Sequence, residues 1–209
     1  MRLPRFTKAL APLVPYVTVG AGVFLFRNAW VALIGYHLAM VLIMLLSGSK
    51  PDLKQLAVGR QRRVSLISGA LGACAGLLLL GAWSPVGLDG KAGEFARSLG
   101  LNGTTWPAFL IYFVIANPWI EEFYWRGFLG SGDRRPVLND VMFSGYHLLV
   151  TAGILGPVWL AALFVVLTLT AWFWRQADRL GGSLFPSILS HLAADLTVML
   201  VMYAKLQGP

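Results

Sequence analysis

A chain of 209 residues that is 57% hydrophobic and 12% charged, with a mean hydropathy of +0.68, has too little charge to coat a globule in water. Soluble domains carry about a quarter charged residues, so most of this surface must face lipid, and the sequence reads as an all-α polytopic membrane protein. The net charge of +8 does not point to nucleic acid, because the Lys and Arg lie between apolar segments rather than along an aromatic-lined basic groove.

Apolar stretches approaching the roughly 20 residues needed to span a bilayer fall at 9–26, 29–47, 64–83, 104–125, 138–153, 156–174 and 184–204. The best count is therefore seven spans, within a range of six to eight. The first follows a basic N-terminal stretch and holds Pro12 and Pro15, which predicts a retained, kinked or partly interfacial helix. Cys74, alone in LGACAGLLLL, excludes a disulfide framework or a Cys-based zinc site and reads as a small residue in helix packing. Between the third and fourth stretches, residues 84–103 carry Asp89, Lys91, Glu94 and Arg97 among apolar positions and predict a short surface helix. No repeat or second domain is visible, so residues 1–209 read as one membrane domain with a motif-bearing core at 104–204.

The basic residues test this layout. With the N-terminus inside, thirteen fall on the cytoplasmic side (Arg2, Arg5, Lys8, Lys50, Lys54, Arg60, Arg62, Arg63, Arg126, Arg134, Arg135, Arg175 and Arg179) against four outside. That bias predicts an N-in, C-out topology. Trp30, Trp83, Trp106, Trp172 and Trp174 lie near span ends, as an interfacial aromatic belt requires.

Ionisable groups inside spans cost about 2.5–3.5 kcal/mol each on insertion scales and are functional candidates by default. The fourth span ends in Asn117-Pro118-Trp119-Ile120-Glu121-Glu122-Phe123-Tyr124-Trp125-Arg126, the fifth carries Phe143 and His147, and the seventh carries His191 and Asp195. Glu122 and Arg126 stand i,i+4 with the acid first, the favourable order for an ion pair. His191 and Asp195 share a helix face, as do Phe143 and His147. Pro118 is expected to kink the fourth span. If the fifth and seventh helices begin near Pro136 and Pro186, a rise of 1.5 Å per residue puts His147 about 16 Å and His191 about 8 Å along them. All these groups then line one cavity open to the cytoplasm. The set suits water activation and carbonyl attack, with one carboxylate held by Arg126 and the other acting as base. Alternatively Glu121, His147 and His191 ligate a zinc ion with an open position, although no H-E-x-x-H pair is present. His37 matches no motif and reads as structural; Asp133, Arg134 and Arg135 read as a solvated loop.

In these residues the chain resembles the CPBP intramembrane proteases, which include type II CAAX prenyl endopeptidases and bacterial relatives linked to bacteriocin processing and immunity. Their pattern, E-E-x-x-x-R, then F-x-x-x-H, then H-x-x-x-N or H-x-x-x-D, is met by Glu121-Glu122-Arg126, Phe143-His147 and His191-Asp195. The resemblance implies an intramembrane endopeptidase of the inner membrane of a bacterium, acting on a membrane-anchored or lipid-proximal protein. It implies Glu121 and His147 as the pair that activates water, His191 and Asp195 as the pair that stabilises the oxyanion, and Phe143 in support. An ionised Asp195 cannot donate a hydrogen bond as Asn would, so it must be protonated or must orient His191. Two other classes of function fit such a chain: a non-catalytic immunity or scaffold protein of the same fold, and a proton-coupled carrier. A carrier's relay is expected to cross the full bilayer depth, whereas here the polar set gathers on one side.

Overall fold

The computed structural model describes residues 9–48, 55 and 62–207. Among them there is no strand; eight helices form the fold. They are α1 (Ala11–Leu25), α2 (Ala29–Leu46), α3 (Arg62–Ala82), α4 (Lys91–Ser98), α5 (Trp106–Glu122), α6 (Leu138–Thr151), α7 (Pro157–Gly181) and α8 (Phe185–Gln207). Arg2, Arg5, Lys8, Lys50, Lys54 and Arg60, six of the residues assigned to the cytoplasmic side, lie outside the described residues.

Four helices are long and apolar enough to cross a membrane: Ala29–Leu46, Arg62–Ala82, Pro157–Gly181 and Phe185–Leu206. The expected count of seven spans is not confirmed: α1, α5 and α6 are shorter than these four. The 14 residues of α6 reach only about 21 Å at 1.5 Å per residue, against a hydrocarbon core of about 30 Å. As expected, α1 is irregular near its prolines. It starts with a 3-10 turn at Ala11–Leu13 and ends in a π turn at Ala21–Leu25. The surface helix expected in 84–103 is α4, which buries Ala92, Gly93 and Ala96 and exposes its charged side.

Helices α3 and α8 make the most extensive packing in the fold. Small residues explain it: a Cβ on Gly72 would overlap the Ser190 carbonyl, and one on Gly76 would lie 2.5 Å from Thr197 Cβ. Backbones can approach this closely only where side chains are absent, the usual device between helices in lipid. The Gly76 N–H donates to Thr197 Oγ1 at 3.1 Å. Cys74, on the same helix, is exposed rather than packed. It lies two residues from both Gly72 and Gly76, off the face they present to α8.

At the junction of α7 and α8, Gly182 takes φ +72°, the left-handed cap that ends α7, and Asp178 Oδ1 accepts the Ser187 N–H at 2.9 Å to cap α8. Asp140 on α6 accepts the Val137 N–H at 2.9 Å and forms a two-pronged ion pair with Arg175 of α7, at 3.1 Å from Nε and 2.7 Å from Nη2. Both side chains are buried. Arg175 also donates to the carbonyls of Asp133 and Arg135, so the loop expected to be merely solvated is tied to α7 through its backbone. Helix α6 begins at Leu138 with Val137 as its cap, two residues later than Pro136 suggested. In α8, Pro186 is the second residue.

Candidate active site

Helix α5 runs unbroken through Pro118, and the change of geometry comes later, in a π turn at Phe123–Phe128. Such turns alter which side chains face a neighbour and recur at functional sites. Here the π turn carries Arg126 directly after the Glu pair, and the chain then folds back so closely that a Cβ at Gly130 would overlap the Arg126 carbonyl.

Glu121 and Glu122 are 2% and 0% exposed, so both carboxylates sit in the protein interior, yet their surroundings differ. Glu122 Oε1 accepts from Arg126 Nη1 at 3.1 Å and from His191 Nδ1 at 2.8 Å. The predicted i,i+4 ion pair is present, and it is joined by a histidine from α8. The Arg126 guanidinium lies over the Phe143 ring at 4.3 Å and the Trp174 ring at 5.1 Å. Trp174 stacks on the imidazole of His191, with centroids 4.6 Å apart. Glu122 therefore sits in an aromatic box with its charge paired.

Glu121 faces another set. Its neighbours are the hydroxyls of Tyr36 and Tyr146 and the rings of His147 and His191, and its Oε2 is buried with no hydrogen-bond partner. His147 Nδ1–H donates to the Phe143 carbonyl at 2.7 Å. In the neutral ring that bond leaves Nε2 as an acceptor, and the Tyr146 hydroxyl stands 3.2 Å from it. Tyr36 donates to Tyr146 at 2.9 Å, which links α2 to α6.

A second polar chain enters from α2. Asn117, one turn before Glu121, donates from Nδ2 to Asp195 Oδ2 at 3.1 Å and lies 3.5 Å from His191 Nε2. Its Oδ1 is 3.0 Å from His37 Nε2, and His37 Nδ1 is 3.1 Å from the Tyr112 hydroxyl. Asp195 Oδ1 is 3.5 Å from His191 Nε2. His37, which the sequence left as structural, is thus hydrogen-bonded to Asn117 beside the motif residues. Tyr36, Tyr112, Asn117, Tyr146 and Trp174 also belong here and were not among the candidates. Asn117 stood four residues before Glu121 in the chain, and Tyr146 lay inside the Phe143–His147 motif.

Every candidate from the sequence lies in this cluster: Glu121, Glu122, Arg126, Phe143, His147, His191 and Asp195. A cavity of about 340 Å³ beside the site is lined by Arg126, Arg175, Asp178, Ser131, Ser183 and neighbours. One geometric expectation changes. Trp83, Trp106 and Trp174 are buried at 3–5% exposure, not spread along an interface.

Among the described residues no three His, Cys, Asp or Glu side chains are grouped so as to hold a metal ion. The zinc alternative considered from sequence for Glu121, His147 and His191 is therefore not seen as a preformed cluster; His191 Nδ1 bonds Glu122, and His147 Nδ1 bonds a backbone carbonyl.

No curated protein and no solved structure matches the chain. Residues 103–197, which hold all three motifs and nearly the whole polar cluster outside α2, match the family model described as Type II CAAX prenyl endopeptidase Rce1-like, the family that the motif spacing resembles.

Proposed function

We propose that the protein is an intramembrane endopeptidase that hydrolyses a peptide bond in a membrane-anchored or lipid-proximal protein, with Glu121 as the base. The observation that carries this reading is the unequal pairing of adjacent carboxylates. Each carboxylate has one buried oxygen without a hydrogen-bond partner, but Glu122 is ion-paired through Oε1 to Arg126 and His191, whereas Glu121 lies beside His147 and the Tyr36 and Tyr146 hydroxyls. A buried carboxylate oxygen left unpaired is costly, and a water molecule held there satisfies it.

In the proposed reaction, Glu121 takes a proton from that water as its oxygen bonds to the substrate carbonyl carbon. The carbonyl π electrons move to oxygen, and His191 stabilises the resulting oxyanion. Collapse of the intermediate breaks the C–N bond, and the proton passes to the leaving nitrogen. His147 stands beside that water, its Nε2 facing the Tyr146 hydroxyl and its ring fixed by the Phe143 carbonyl. Glu122 and Arg126 are positioning residues: they orient His191 through Nδ1. With the N-terminus inside, the site lies towards the cytoplasmic leaflet, in the cell membrane of a bacterium.

The test is cleavage of a panel of lipid-anchored and transmembrane reporter peptides by purified protein and by Glu121→Gln, with and without chelator. Cleavage by wild type and at least 100-fold loss in the variant are expected. Activity retained in Glu121→Gln removes that residue from its role. Failure of folded wild type to cut any peptide favours a non-catalytic immunity or scaffold protein.

A further inference from the structure

Asp195 presents a difficulty for the proposed reaction. An oxyanion needs donors, and a carboxylate supplies only acceptors. The missing donor stands across the site on α5. We propose that Asn117 provides the neutral N–H that stabilises the oxyanion, and that His37 and Tyr112 hold its amide in the required orientation; this rests on the endopeptidase reading.

The direction of the hydrogen bonds fixes the amide. Asn117 is 2% exposed and wedged between Asp195 and His37. Because Asp195 accepts, the Asn117 nitrogen must face it; the amide oxygen there would oppose a carboxylate. The amide oxygen then faces His37 Nε2 at 3.0 Å, which requires the proton on that nitrogen. His37 Nδ1 is left to accept from the Tyr112 hydroxyl at 3.1 Å. Every bond in the chain Tyr112, His37, Asn117, Asp195 thus runs the same way, towards the site.

An amide nitrogen carries two protons. One bonds Asp195 Oδ2 at 3.1 Å; the other lies beside His191 Nε2 at 3.5 Å, a distance long for a hydrogen bond and suited to two donors converging on one oxygen. With His191 Nδ1–H committed to Glu122, a proton on Nε2 would make the ring a cation between two carboxylates, Glu122 and Asp195. His191 Nε2 and Asn117 Nδ2 then form the donor pair. Asp195 becomes a positioning residue that holds both, which gives it a role that needs no proton of its own.

The experiment measures kcat and KM for a reporter peptide that wild type cleaves, in Asn117→Asp, Asn117→Ser and the double variant Asn117→Asp/Asp195→Asn, with folding followed by thermal unfolding. Asn117→Asp keeps the shape but removes the donor, and kcat is expected to fall about 100- to 1,000-fold with KM changed less than threefold. The double variant returns an amide to the pair from the opposite wall and should recover at least tenfold of that loss. His37→Gln, which can still donate to Asn117, should retain more activity than His37→Leu. The proposal is overturned if folded Asn117→Asp or Asn117→Ser keeps kcat within threefold of wild type, if the loss lies wholly in KM, or if the double variant recovers nothing. Loss of the fold in all three Asn117 variants would also overturn it, in favour of a structural tie. Glu121→Gln serves as the control: full activity there defeats only the role of Glu121 as base, no cleavage by folded wild type defeats the endopeptidase reading itself, and an inactive Glu121→Gln beside an active Asn117→Asp defeats only the role of Asn117.

Discussion

Arg126→Met isolates the energetics of the buried charge cluster. The substitution keeps an unbranched chain of similar length over Phe143 and Trp174 and removes the guanidinium 3.1 Å from Glu122 Oε1, in a pair whose side chains are 3% and 0% exposed. Glu122 then keeps one partner, His191 Nδ1 at 2.8 Å, while its Oε2 already has none. Breaking a buried pair from one side costs about 3–5 kcal/mol, because the remaining charge stays desolvated without its counter-charge. Glu122→Gln removes the opposite charge and leaves Arg126 Nη1 with a neutral acceptor. Each single variant therefore leaves one buried charge without its counter-charge, and the double variant removes both. A double-mutant cycle by reversible unfolding in mixed micelles should give a coupling of at least about 1 kcal/mol, with the double variant more stable than the sum of the singles predicts. Additivity to within about 0.5 kcal/mol would show that the two side chains do not share one desolvated environment, and would refute the argument.

Other outcomes follow from single contacts. Arg175→Met unpairs Asp140 and releases the carbonyls of Asp133 and Arg135, so amide hydrogen exchange across residues 130–136 should accelerate and stability should fall by about 3–5 kcal/mol. Gly72→Ala places a Cβ on the Ser190 carbonyl between α3 and α8 and should cost about 1–3 kcal/mol by thermal unfolding. Gly81→Ala, on the same helix with nothing within 4 Å of the new methyl group, should instead stabilise by about 0.4–1 kcal/mol. Tyr146→Phe removes the hydroxyl 3.2 Å from His147 Nε2, and kcat for a cleaved reporter peptide should fall about tenfold, the equivalent of one hydrogen bond.

Much of the chemistry was legible in the sequence because it rests on scarcity and local geometry. In a chain with 12% charged residues, an Asp, Glu or His inside an apolar stretch stands out at once. The Glu122–Arg126 pair follows from i,i+4 spacing alone. The amphipathic α4 was legible for the same reason: over eight residues, charge and apolarity separate onto two sides.

What the sequence could not supply was the direction each long helix faces. In lipid both the core-facing and the outward-facing sides of a helix are apolar, so the periodicity that marks a buried face in water is erased. Cys74 therefore read as packed and is exposed, while Trp83, Trp106 and Trp174 read as an interfacial belt and are buried. The partners of the site residues come from distant parts of the chain. His37 meets Asn117 across 80 positions, Tyr36 meets Tyr146 across 110, and Arg175 meets Asp140 across 35. Composition and spacing by themselves marked a helical membrane chain with three carboxylates, an arginine and two histidines in or beside apolar stretches. Only tertiary packing decided that His191 bonds Glu122 while Glu121 faces His147, Tyr36 and Tyr146, and that Asn117 and His37 join them, because hydrogen-bond partners on different helices are fixed by how the helices rotate and cross, not by their order in the chain.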